Sequence, residues 1–184
     1  MNKWIIRVIY ITISIILIFG CNLVSRTPPE MPGELMINQS ADLSGNYELK
    51  DMGIEEIEDG NLFYRTYEKK AENIGSIITH QISIYSDTET ARNKFSFYEE
   101  RLFTDIWIMP PSSNFEPIVS DDYYVYKCHD TQNDSYSCRV IQQHQNLLII
   151  IFVNINEKNI SFSEFDEILE SLDSRLPEEE ILGY

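Results

Sequence analysis

The chain has 184 residues, a net charge of −16 from 30 Asp and Glu against 14 Lys and Arg, and 12% aromatic residues. That balance argues against nucleic-acid binding, which needs clustered cations to displace counterions; here the one adjacent basic pair, Lys69-Lys70, is followed closely by Glu72. The aromatic content argues against disorder. The length allows a domain that buries about two-thirds of its unfolded surface.

The first twenty residues read MNKWIIRVIYITISIILIFG, with Lys3 and Arg7 ahead of an uncharged apolar stretch over 8–19. That stretch has signal-peptide length, short of the roughly twenty apolar residues a membrane span requires. Gly20 is the small residue that cleavage needs, and Cys21 follows it. Ile18-Phe19-Gly20-Cys21 resembles the lipobox of bacterial lipoproteins, with Phe19 bulkier than the usual occupant and Ile18 in place of the commoner Leu. The resemblance covers residues 1 to about 22. It implies a signal peptide over 1–20, diacylglycerol and palmitate-type acylation at Cys21, and a domain on the extracytoplasmic side of a bacterial membrane. Two or more acyl chains, at about 0.8 kcal/mol per buried CH₂, make a lasting anchor without a protein span.

Without residues 1–20, which hold Lys3 and Arg7 and no acid, the net charge becomes about −18. Such a domain is expected to stand off an anionic lipid surface, with repulsion screened beyond about 8 Å. Residues 21–43, containing RTPPEMPGE, read as the lipidated cysteine and a flexible, partly polyproline-like tether. Residues 44–184 read as a single domain.

The elements of that domain follow in order. GNYELKDMG (45–53) is a weak strand, and IEEIEDGN is an acidic loop ending in a turn signal. Residues 61–70 alternate as a strand. Residues 76–85 do so more clearly, with Ile78, His80, Ile82 and Ile84 on one face. The period then changes. Ser86 and Glu89 form a capping-box pattern, and Ala91, Phe95, Tyr98 and Leu102 make one helical stripe. Pro110, Pro111 and Pro117 make 108–117 a loop. Strands 122–129 and 136–143 come next, then a turn over 143–146. LLIIIFVNI (147–155) reads as a central strand covered on both faces. Ser161 and Glu164 cap a last helix that buries Phe165, Ile168, Leu169, Leu172 and Leu176 and stops at Pro177; the acidic tail EEEILGY reads as loose.

This β-β-β-α-β-β-β-α order predicts an α+β domain: an antiparallel sheet of five to seven strands with two main helices packed on it. The doubled order suggests a duplicated half. On DLSGNY at the domain start, the Ala-x₃-Phe helix after ISIYSDTETA and the final helix after LLIIIFVNI, the layout loosely resembles small α+β modules of uncharacterised bacterial lipoproteins and the PsbP/Mog1-like fold. That resemblance implies architecture alone.

Cys128 and Cys138 flank HDTQNDS, and a hairpin turning at Asn133-Asp134 would set them opposite each other. In an exported, oxidising compartment they are expected to form a disulfide contributing about 2–3 kcal/mol. A zinc site with His129 is disfavoured, because Cys-x₉-Cys lacks zinc-module spacing and His129 would point away from Cys128 on a strand. His80 reads as a packed histidine with one hydrogen bond, and His144 as a solvated turn residue. The acidic runs, from Glu55-Glu56 to Glu178-Glu180, read as solvated faces. Asp130, Asn133 and Asp134 lack EF-hand spacing for calcium. No nucleophile-elbow, metalloprotease or phosphate-loop motif is present. The expected function is therefore a non-enzymatic binding domain without cofactor or metal, tethered to the membrane and recognising an unknown protein or small ligand. The alternative is a structural part of an envelope complex, with a motif-less enzyme behind both. Trp107 in IWIMPP marks the stretch to watch, as a loop pinned to the core or an exposed contact.

Overall fold

The computed structural model describes residues 32–45, 47–69, 76–117, 123–132, 135–156 and 160–181. The segment read as a signal peptide, the lipobox-like residues and Cys21 lie outside them, as do Asn133 and Asp134 of the predicted turn. The elements are α1 (Gln39–Asp42), β1 (Tyr47–Ile57), β2 (Gly60–Lys69), β3 (Ser76–Tyr85), α2 (Thr88–Leu102), β4 (Tyr123–Gln132), β5 (Ser135–His144), β6 (Leu147–Asn156) and α3 (Phe162–Asp173). Among the described residues no helix is long and apolar enough to cross a membrane.

The expected α+β class is the one observed. The six strands form one antiparallel sheet in the order β1-β2-β3-β6-β5-β4. β6 sits at its centre, and Leu147 to Ile151 are all buried, as an unbroken apolar run requires. Odd-numbered β6 residues from Leu147 to Ile155 join one core with the even β3 residues Ile78, Ile82 and Ile84, and α3 covers it with Phe162, Phe165, Ile168, Leu169 and Leu172. Leu148 and Ile150 face the other way, where Ala91 and Phe95 of α2 pack with Tyr85 and Ile141.

The strand orders 1-2-3 and 6-5-4 mirror each other about the β3–β6 pair. A two-fold axis normal to the sheet would relate them and would leave both helices on one face. They lie on opposite faces, so the doubled pattern does not extend beyond the strands.

Four expectations need correction. β1 runs on through Ile57, taking in most of the supposed acidic loop; the turn is Glu58-Asp59, with Asp59 at φ 64°. Gly60 must then lack a side chain, since a Cβ there would stand 2.1 Å from the Ile84 carbonyl oxygen. The α2 cap is Asp87 rather than Ser86, its carboxylate accepting from Thr90 N–H at 2.7 Å; α3 carries the full Ser161–Glu164 capping box. The tail docks through 181: Asn146 Nδ2 donates to the Ile181 carbonyl and Ile181 N–H donates to Asn146 Oδ1.

The fourth correction concerns the tether. Met36 and Ile37 are wholly buried and Leu43 nearly so, in the core that α3 covers. The folded domain thus includes 32–43, because Leu35, Met36 and Ile37 supply a short apolar run between Glu34 and Asn38. Truncating Ile37 to Ala is expected to cost about 2–4 kcal/mol, measured by denaturant unfolding; a change under about 0.5 kcal/mol would return this segment to the tether.

Candidate functional site

The Trp107 stretch is both pinned and exposed. Ile108 forms a bridge with Cys128 on the outer side of β4: Ile108 N–H donates to the Cys128 carbonyl at 2.9 Å, and Cys128 N–H donates back at 2.8 Å. Since these groups of Cys128 point outward, Cys128 and Cys138 face each other as a non-hydrogen-bonded pair, the close type of cross-strand pair. Their Cα atoms are 4.1 Å apart, and they are disulfide-bonded and wholly buried. The expected bridge is present and holds the strand on which the loop hangs.

The loop's far end is clasped by α3. The Asp166 carboxylate accepts from Ser113 Oγ at 2.7 Å and from Asn114 N–H at 2.9 Å, and Phe115 stacks edge-on with Tyr124. Trp107 packs edge-to-face on Phe103 at 5.5 Å, with the Arg139 guanidinium 4.3 Å from its ring centre. Arg139 Nη1 also donates to the Leu102 carbonyl at 2.7 Å. Between these anchors, Ile106, Ile108 and Met109 are 59%, 51% and 72% exposed. The result is an apolar tip on a fixed frame, a candidate contact surface.

The histidines do not converge. His80 is buried in the α3-side core, where Ile37 N–H donates to its Nδ1 at 3.0 Å. Since Nδ1 accepts, the ring proton is on Nε2. Burial first, then the charges of Arg175 and Arg65, push the imidazole down to about 3, with Asp42 opposing them. His80 is the packed histidine expected. His129 lies on β4 with its ring 6.0 Å from Trp107. His144 corrects expectation: it ends β5 rather than sitting in the turn, is 3% exposed, and bonds through Nε2 to the Pro177 carbonyl. The turn after it consists of Gln145 and Asn146, with Gln145 at φ 50°.

Two buried carboxylates went unread in the sequence. Asp166 and Asp173 lie on the buried side of α3, and Asp173 accepts from Gln142 Nε2 at 2.8 Å. Burial, with Asp166 nearby, pushes the Tyr124 and Tyr126 hydroxyls well above the usual tyrosine range. The available signal was position: Asp166 and Asp173 are seven residues apart on the stripe that carries Phe165, Leu169 and Leu172. These acids hold a loop and a strand rather than facing a cleft. Among the described residues no group of three or more His, Cys, Asp or Glu could hold a metal ion.

Comparison with protein-family models, with curated proteins and with solved structures finds no match.

Proposed function

We propose that the chain is a membrane-anchored lipoprotein of the bacterial envelope whose extracytoplasmic domain acts by binding another molecule, without cofactor or catalysis. Lipidation at Cys21 is inferred from the lipobox resemblance. A buried disulfide suits an oxidising compartment. The observation that carries the binding reading is the apolar tip at Ile106, Ile108 and Met109, pinned by Cys128 on one side and Asp166 on the other. A frame fixed in advance reduces the ordering cost of recognition. The same tip favours a second reading, in which the domain is a structural part of an envelope complex and the tip its permanent interface.

Cys21→Ser is expected to abolish acyl labelling in cells and leave uncleaved precursor; normal processing would sink the anchor. For the tip, a photo-crosslinking residue in place of Met109 should give a discrete adduct in intact cells, and one in place of exposed Glu100 should not. Equal, diffuse labelling from both positions would contradict a contact role. An adduct that dissolves during mild purification favours transient binding. One that survives as a stoichiometric complex favours assembly.

A further inference from the structure

The sheet has two edges, and the protein treats them differently. At β4 the Ile108 bridge occupies the outward backbone groups of Cys128. At the start of β1, Tyr47 N–H donates to the Gly45 carbonyl and the Tyr47 carbonyl accepts from Gln39 Nε2; beyond Tyr47 no strand or bridge among the described residues pairs with the outer side. Open edges are templates for a further strand.

Between Leu49 and Glu55, β1 is also sorted by face; Glu56, opposite Asn61, puts one acid back on the α3 side. Residues opposite each other in a ladder share a face. Leu49 pairs with Tyr67, Met52 with Arg65 and Ile54 with Phe63, so the three project on the α3 side. They are 43%, 56% and 41% exposed. A bulge between Leu49 and Asp51 produces this alignment, since residues three apart otherwise point to opposite faces. Asp51 pairs with Thr66 and Glu55 with Leu62, placing both exposed carboxylates on the opposite face. Between them is Gly53, where a Cβ would stand 2.6 Å from Tyr64 Oη, so the phenol lies across the strand. Four acids against Lys50 alone give β1 a strong negative balance. Two copies of such an edge would repel each other, whereas a basic strand would be drawn in.

We propose that the outer edge of β1 is a strand-addition site for an extended partner segment that alternates apolar and basic residues. Its backbone would continue the ladder. Its apolar side chains would lie beside Leu49, Met52 and Ile54, and its basic ones beside Asp51 and Glu55, the division of labour of β-augmentation. This adds a second surface, at the sheet edge opposite the tip, and rests on the reading that the domain acts by binding.

The test uses the full chain in detergent micelles with a labelled ten-residue peptide alternating valine and lysine. The alternating peptide should bind, tighten at low salt and slow amide exchange specifically in β1. A scrambled peptide of the same composition should bind at least tenfold more weakly. Asp51→Lys with Glu55→Lys, and separately Met52→Lys with Ile54→Lys, should each weaken binding at least tenfold; all four positions are exposed, so the fold should tolerate them. Equal binding of the scrambled peptide, unchanged exchange of the outward-facing β1 amides (those not bonded to β2), or protection of those amides before peptide is added would each overturn the proposal. Crosslinking at Met109 separates the two levels: a discrete adduct on the unmutated chain while the alternating peptide fails to bind that same chain sinks the β1 site and leaves the binding domain standing. Loss of both sinks the reading beneath it.

Discussion

Removing the Cys128–Cys138 bridge is expected to lower stability by about 2–3 kcal/mol, from the entropy of the small loop that it closes. For a domain of this size that is a fall in Tm of about 5–10 °C. The double variant Cys128→Ala, Cys138→Ala is cleaner than the serine pair, since both positions are wholly buried and hydroxyls there would need partners. A local consequence should precede the global one. Cys128 supplies both backbone partners of Ile108, so loosening β4 against β5 should free the tip. Proteolysis near Met109 should therefore accelerate at temperatures where the rest of the fold is intact. An unchanged Tm would mean that the bridge does not constrain the unfolded chain as supposed.

The second large effect is acid sensitivity through His80. Its folded-state value is about 3 against an ordinary 6.5, so between these limits the unfolded chain holds a proton that the folded chain lacks. Stability therefore rises with pH in this window. The contribution is fully present above about 6.5 and is lost as pH falls toward 3, with a limiting slope of about 1.4 kcal/mol per pH unit. Protonation at Nδ1 would also replace the acceptor that takes Ile37 N–H with a donor, so 32–43 should be the first segment released. Carboxylates titrate in the lower half of this range, and His80→Gln is the reference that removes their share: its amide oxygen can still accept from Ile37. The stability difference between wild type and His80→Gln should be flat above pH 7 and fall by roughly 2 kcal/mol between pH 6.5 and 4.5. A difference independent of pH would contradict a buried neutral imidazole.

The strands were readable because their signals are local. LLIIIFVNI is apolar without a break, SIITHQISIY alternates cleanly, and the two cysteines are symmetric about a turn-rich centre. What was missed depends on partners far along the chain. Met36 and Ile37 look like tether until β2 and β3 supply the Tyr67 hydroxyl for the Ile37 carbonyl and the His80 ring for its N–H. His144 looks like a turn residue until Pro177, thirty-three positions on, accepts its ring. Asp166 and Asp173 look like solvent-facing acids until Ser113, Asn114 and Gln142 arrive as donors. The end of β1 looks like a loop because Glu55 and Glu56 make it acidic, and the bulge between Leu49 and Asp51, which aligns the exposed apolar row, breaks the period of two and weakens the strand signal. The tip was half legible: prolines announced a loop, but its anchors, the Ile108–Cys128 bridge and the Asp166 clasp, join segments far apart in the chain.

The most direct test of a lipid-anchored, extracytoplasmic domain is the intact mass of the chain purified from membranes without reductant. The account predicts a chain that begins at Cys21, carries the added mass of its acyl groups, and gains two hydrogens on reduction as the Cys128–Cys138 bridge opens. A mass that begins at Met1 and does not change on reduction would contradict both the anchor and the compartment.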